Sequence, residues 1–294
     1  MKTSRPTGRL FDPFDMELET PDPGAIQALV QTTLREDLGS GDLSAALVPT
    51  GQRAEAELHL REPAVICGQP WFSACFRAVA PGCRVQWDVD EAAPVEDPGV
   101  IARVSGPARA LLSAERSALN LLQTLSGTAT ETARLVKLLN GSRTRLLDTR
   151  KTLPGLRVAQ KYAVRCGGGF NHRLGLWDAV LIKENHILAC GSIETAVDRA
   201  RAMGKGRWIE VETETPDEVE QALAAGADVV MLDNFELGPL REAVERIRGR
   251  AISEASGNVS EHTLSQVAAT GVDYISMGSL TKHLRAIDFS LRFL

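Results

Sequence analysis

Apolar residues recur at helical spacing over Pro23–Leu38, where Ile26, Leu29, Val30 and Leu34 share a face, and this spacing predicts a helix. Asp37-Leu38-Gly39-Ser40-Gly41-Asp42 follows as a loop with turn chemistry. The pattern then changes. Ala54-Glu55-Ala56-Glu57-Leu58-His59-Leu60 alternates like a strand, and Ala64-Val65-Ile66-Cys67-Gly68 is a short apolar run. Residues 71–79 are helical, and Arg84-Val85-Gln86-Trp87-Asp88-Val89 alternates again. These pieces predict an α+β module of mostly antiparallel character. A strong helix is expected over 110–125, with Leu111, Leu112, Ala118, Leu119, Leu122 and Leu125 at helical spacing.

After this helix, strand and helix alternate. Strands are predicted over 144–147, 179–182, 208–211, 229–232, 251–253 and 274–277, and helices over 193–203, 216–225, 237–248 and 260–270. Such alternation argues for a parallel sheet with right-handed crossovers, and its regular spacing favours a barrel over an open sheet. With only six clear strands, the expected α/β barrel is open, or incomplete.

Composition narrows the class. The 294 residues carry a formal net charge of -5, with 44% hydrophobic and 24% charged residues, ordinary globular usage. An acidic chain is a poor nucleic-acid binder, and no apolar stretch is long enough to cross a bilayer. Residues 1–22, rich in Pro, Asp and Thr, read as a flexible arm rather than a secretory signal. Cys67, Cys75, Cys83, Cys166 and Cys190 form no CxxC pair, and their odd number excludes a complete disulfide framework. That suits a reduced, cytoplasmic setting, and Cys67, Cys75 and Cys83 read as small buried hydrophobes rather than as metal ligands.

Each predicted strand stops at polar or glycine residues: Asp148-Thr149-Arg150-Lys151, Lys183-Glu184-Asn185-His186, Glu212, Asp233-Asn234, Glu254-Ala255-Ser256-Gly257-Asn258, and Gly278-Ser279. Ligand sites of parallel α/β folds lie at the carboxyl ends of strands. Arg150, Lys151, His172, Arg173 and Lys183 form a basic group suited to a substrate with more than one anionic group. Glu212 and Asp233 are oxygen ligands suited to Mg2+ or a sugar hydroxyl. Ser256-Gly257-Asn258 and Gly278-Ser279 offer backbone N–H groups for a phosphate. Several charges have plainer readings: Arg116 as a solvated helix charge, Glu210 and Glu184 as surface or salt-bridged residues, and Gly167-Gly168-Gly169 as a flexible loop.

Asp148-Thr149-Arg150-Lys151-Thr152-Leu153-Pro154-Gly155 resembles a signature of the quinolinate phosphoribosyltransferases (carboxylating nicotinate-nucleotide pyrophosphorylases). So do Asn171-His172-Arg173-Leu174-Gly175-Leu176, Leu181-Ile182-Lys183-Glu184-Asn185-His186, Glu210-Val211-Glu212-Thr213, Met231-Leu232-Asp233-Asn234-Phe235, Glu254-Ala255-Ser256-Gly257-Asn258 and the early loop 37–42. The resemblance implies a type II phosphoribosyltransferase. Its N-terminal α/β sandwich would span 23–126 and be completed by 284–294. Its open α/β barrel would span 127–283. The family's enzymes convert quinolinate and phosphoribosyl pyrophosphate to nicotinate mononucleotide, pyrophosphate and CO2 in de novo NAD biosynthesis. The resemblance also implies a homodimer in which Arg116 reaches the partner's site, which reverses its plain reading. By the same carry-over, Thr149, Arg150, His172, Arg173 and Lys183 hold quinolinate. Lys151 meets the diphosphate of phosphoribosyl pyrophosphate, and Glu212 and Asp233 meet its ribose, directly or through Mg2+. Ser256, Gly257, Asn258, Gly278 and Ser279 receive its 5′-phosphate. Lys151, Lys183, Glu212 and Asp233 are the expected catalytic group.

Three alternatives stand beside this one: a nicotinate-using phosphoribosyltransferase, a Schiff-base barrel lyase acting through Lys183, and a phosphate-ligand sensor on the same scaffold.

Overall fold

The computed structural model describes residues 12–14, 19–204 and 206–294. Its contacts divide the chain into two compact units. One comprises Leu18–Arg134, Lys151–Gly168 and Ser279–Leu294; the other comprises Met1–Glu17, Leu135–Arg150 and Gly169–Gly278. This differs from the division drawn at residues 126 and 283. The segment 151–168, expected in the barrel, sides with the antiparallel unit because its helix inserts Ala159, Tyr162, Ala163 and Cys166 into that unit's core.

The strands of the antiparallel unit are β1 (Arg53–Leu60), β2 (Ala64–Val65), β3 (Arg84–Trp87), β4 (Pro94–Val95) and β5 (Gly99–Pro107), with Phe289–Phe293 as the last strand of the chain, β12. Its main sheet runs β12-β1-β5-β3, beside a β2-β4 ribbon. Helices α1 (Pro23–Leu38), α2 (Gln69–Val79), α4 (Arg157–Cys166) and most of α3 (Ala108–Lys137) belong to the same unit. Leu58, Leu60, Trp71, Phe72, Phe76, Leu111, Leu119, Leu122 and Leu125 are fully buried within it. As the resemblance implied, the C-terminal tail completes the sheet: β12 pairs with β1 from Ala56↔Phe293 to Leu60↔Phe289. The tail also presses on α3, where a Cβ on Gly127 would stand 2.2 Å from the Arg285 carbonyl oxygen. Gly127→Ala is therefore expected to cost about 1–3 kcal/mol through overpacking, read as a lower urea midpoint.

Helix α3 runs a dozen residues beyond the predicted 110–125. Thr128 and Thr132 obscure it in sequence, yet their hydroxyls donate back to the carbonyls of Thr124 and Thr128, at 3.3 and 2.8 Å, without ending the helix.

The second unit carries β6 (Arg145–Leu147), β7 (Val180–Ile182), β8 (Ile209–Thr213), β9 (Val229–Asp233), β10 (Ile252–Ser256) and β11 (Tyr274–Ser276). They form one parallel sheet in the order β6-β11-β10-β9-β8-β7, with edges at β6 and β7 that do not pair with each other: an open barrel. Helices α5 (Glu184–Cys190), α6 (Ile193–Ala202), α7 (Pro216–Ala224), α8 (Leu237–Ile247) and α9 (Glu261–Ala268) connect them, and α10 (Ser279–Lys282) follows β11. Phe14, Leu147, Val229, Ile252 and Tyr274 form an apolar floor inside the barrel. From that floor the period of two lifts successive residues toward the mouth: Ile252 to Glu254 to Ser256, and Val229 to Met231 to Asp233.

The arm expected over 1–22 falls mostly outside the described residues. Within it, Phe14 is buried edge-on against Tyr274 and Trp208, with centroids 4.8 and 5.2 Å apart, and Asp12 accepts from the Tyr274 hydroxyl at 2.7 Å. These residues are a packed floor of the barrel rather than part of an arm. Cys67, Cys75 and Cys83 are buried, as the sequence suggested; Cys166 is buried too, and Cys190 is half-buried. No helix among the described residues is long and apolar enough to cross a membrane.

Candidate active site

Asp148 is fully buried at the end of β6. Its carboxylate accepts from the backbone N–H of His172 at 2.9 Å and from Asn171 Nδ2 at 2.6 Å. These bonds fasten the segment entering His172-Arg173 to the strand end. The His172 ring turns inward. Its Nδ1 accepts from the Arg173 N–H at 2.7 Å, and its Nε2 meets Glu210 Oε2 at 2.8 Å. Since Nδ1 accepts, the proton lies on Nε2 and the ring is the neutral tautomer. His172 was expected to help hold quinolinate; in this structure both its ring nitrogens are engaged within the protein.

Of its two plain readings, Glu210 takes the paired one and not the surface one. It is fully buried, as is Glu254 on the neighbouring tier, 3.6 Å from the same Nε2. Burial pushes Glu210 up to about 7, against the lowering effects of Glu254 and Arg173. Burial, with the charge of Glu210, pushes Glu254 up to about 8. Such an acid gives up its proton near the ordinary glutamate value when unfolded but only near 8 when folded. Between those values the folded state holds more protons, so stability falls as pH rises. The melting temperature is expected to decline from pH 5 toward pH 8, and Glu254→Gln should flatten that decline. An equally steep decline in the variant would refute this account. Glu184, by contrast, is exposed in the first turn of α5, as its plain reading had it.

Arg173 is nearly buried, and its Nη1 donates to the Ala179 carbonyl at 3.2 Å. Burial lowers its pKa first and the nearby Arg150 charge second, with Glu210 and Asp178 acting in the opposite sense. The Arg150 charge thus acts on the Arg173 guanidinium, and two such cations suit a dianion.

At the mouth, exposed Lys183 forms an ion pair with Glu212. It does not sit in the apolar pocket that activates a lysine nucleophile. The Asn234 N–H donates to the Ser256 carbonyl at 2.9 Å, Asn234 Nδ2 donates to Asp233 at 2.8 Å, and Asn258 Nδ2 donates to Asn234 Oδ1 at 2.9 Å. Through these bonds the Asn258 side chain locks the loop after β9 to the loop after β10. Gly257 closes the lock at φ +80°, and a Cβ there would stand 2.2 Å from Asn234 Oδ1 and 2.8 Å from Asp233 Oδ1. Gly257→Ala is expected to displace both side chains and weaken binding at this end of the mouth by about tenfold or more. A titration with phosphoribosyl pyrophosphate would measure it.

The barrel unit therefore carries Thr149, Arg150, His172, Arg173, Lys183, Glu212, Asp233, Ser256, Gly257, Asn258 and Gly278. Lys151, Ser279 and Arg116 belong to the other unit. There the Lys151 carbonyl accepts from Thr281 Oγ1 at 2.9 Å, and Arg116 is exposed on α3. Glu254 was grouped among strand-end residues but lies inside β10. A lone acid between Ser253 and Ala255, in a run that starts at Ala251-Ile252, was the signal for its interior position.

Comparisons with known proteins agree with this geometry. Residues 128–292 match the model of the quinolinate phosphoribosyl transferase C-terminal domain, and residues 42–126 match that of the N-terminal domain. A probable carboxylating nicotinate-nucleotide pyrophosphorylase of Bacillus subtilis (strain 168) is 40% identical over 267 residues, covering 90% of this chain and 92% of that one. A carboxylating nicotinate-nucleotide pyrophosphorylase of Mycobacterium leprae (strain TN) is 39% identical over 274 residues, covering 91% and 96%. The solved nicotinate-nucleotide pyrophosphorylase of Francisella tularensis superposes with a TM-score of 0.91 at 44% identity, covering 95% of this chain and 99% of that one.

Proposed function

The chain belongs to the quinolinate phosphoribosyltransferase family, and on that premise we propose how its residues divide the reaction. It is an enzyme of de novo NAD biosynthesis, a phosphoribosyltransferase that joins quinolinate to phosphoribosyl pyrophosphate and releases nicotinate mononucleotide, pyrophosphate and CO2. The observation that supports the residue assignment is the nearly buried Arg173, whose Nη1 is held by the Ala179 carbonyl at 3.2 Å and which feels the charge of Arg150.

Arg150 and Arg173 meet the two carboxylates of quinolinate, with Thr149 and Lys183 beside them. Arg116 completes the pocket from the second subunit of a homodimer. Lys151 takes the diphosphate of phosphoribosyl pyrophosphate, Glu212 and Asp233 its ribose hydroxyls, and Ser256, Gly257, Asn258, Gly278 and Ser279 its 5′-phosphate. Glu212 and Asp233 end the adjacent strands β8 and β9 and supply only hard oxygen donors, a set that fits Mg2+. When bound, the ion would neutralise charge on the departing pyrophosphate. The Lys183–Glu212 ion pair orients that carboxylate until substrate divides the two.

The pyridine nitrogen attacks C1 of the ribose as the C1–O bond to pyrophosphate breaks. The protein holds the ring nitrogen in line with C1 and places charge around the leaving group. The positive nitrogen of the resulting pyridinium stabilises the carbanion left on the adjacent ring carbon when its carboxylate departs as CO2, and a proton from solvent then completes the product, so no side chain need act as nucleophile. A cytoplasmic location goes with this reading, as do small-molecule substrates and the absence of a nucleic-acid partner.

Incubation with quinolinate, phosphoribosyl pyrophosphate and Mg2+ is expected to yield nicotinate mononucleotide with stoichiometric CO2, and chelation of the metal should stop it. Turnover of nicotinate without CO2 release would instead support the single-carboxylate reading.

A further inference from the structure

Glu210 plays no direct part in the chemistry of phosphoribosyl transfer, although it is fully buried beneath the mouth. Its Oε2 lies 2.8 Å from His172 Nε2, while His172 Nδ1 accepts from the Arg173 N–H at 2.7 Å. The opposite tautomer would lose the bond at Nδ1, because Nδ1–H would face the Arg173 N–H. Glu254 cannot substitute as the acceptor, because it stands 3.6 Å from Nε2. The three side chains also have the composition of a metal site, with ligand atoms within 4.8 Å of one another. A metal would need the Nε2 lone pair, and the bond accepted at Nδ1 puts a proton there instead. The arrangement is a relay of position: Glu210 sets the ring, the ring holds the Arg173 backbone, and the guanidinium is held in turn by the Ala179 carbonyl at 3.2 Å.

We propose that Glu210 is a positioning residue for quinolinate recognition, fixing through His172 the tautomer that holds Arg173 in place. The proposal rests on the reading of Arg173 as a quinolinate ligand. Glu210→Gln keeps an acceptor oxygen and is expected to leave the quinolinate KM within about threefold of wild type. Glu210→Leu is similar in size but accepts nothing. It should raise the quinolinate KM about 10- to 100-fold while the KM for phosphoribosyl pyrophosphate stays within about threefold. Nitrogen-15 spectra of the wild-type enzyme should show His172 protonated at Nε2 alone, a signature that a merely space-filling glutamate would not set.

An Nδ1-protonated ring in the wild type would overturn the proposal even if Glu210→Leu failed to fold. So would a Glu210→Leu enzyme with an unchanged quinolinate KM, or one in which both KM values rose together. Arg173→Lys, measured alongside, separates the two levels. If it raises the quinolinate KM and Glu210→Leu does not, the relay fails and the reading of Arg173 stands. If Arg173→Lys leaves that KM unchanged, the reading of Arg173 is wrong and the relay falls with it.

Discussion

Arg150→Ala is expected to raise the quinolinate KM by roughly 30-fold to several thousandfold, corresponding to about 2–5 kcal/mol for a desolvated charge contact. The range is wide because Arg173 remains. In the intact site the Arg150 charge acts against that of Arg173, so Arg173 is left the stronger on its own once Arg150 is lost. The Arg150→Ala and Arg173→Ala effects should therefore combine non-additively in the double variant. Affinity for phosphoribosyl pyrophosphate should change less, because Lys151 is its one proposed contact at this strand end and the others lie elsewhere. Calorimetric titration with quinolinate checks the prediction, and an unchanged affinity would remove Arg150 from the site.

Mixing two dead enzymes should restore activity. If Arg116 completes the partner's pocket, Arg116→Ala and Arg150→Ala homodimers each have two damaged sites. A heterodimer gathers both lesions into one site and leaves the other intact. With free exchange half the dimers are mixed and half their sites are whole, so roughly a quarter of wild-type activity should return. Because Arg116 is exposed on α3, its loss should leave the melting temperature close to wild type. Subunit exchange verified by mass spectrometry, with no recovery of activity, would count against a shared site.

The parallel strands of the barrel were legible in sequence because each is a short apolar run ending in a polar residue. All six appear within a few residues of expectation. Helix α1 is found over the very residues its spacing predicted. Helix α4 was hidden because its core-facing Ala159, Tyr162 and Ala163 share the helix with buried Gln160 and Lys161, which blur the apolar stripe. The cations of the site were legible as types but not in their orientation. Nothing in Asn171-His172-Arg173 tells that the imidazole faces inward; that follows from Glu210, a residue on a different strand. Buried carboxylates are hard to recognise for the same reason. An acid inside a strand reads as a solvent-facing residue until its neighbours are known.

The pairing of β12 with β1 carries a consequence for synthesis and refolding. Strand β1 gains one of its two neighbours only when residues 289–293 arrive, and every residue of the barrel sheet is made in between. During translation the apolar side of this sheet must wait with an open edge, so a nascent or refolding chain has a long-lived template for wrong strand pairing. Deleting residues 289–293 should therefore shift recovery of the expressed protein from the supernatant to the pellet, beyond any loss of turnover.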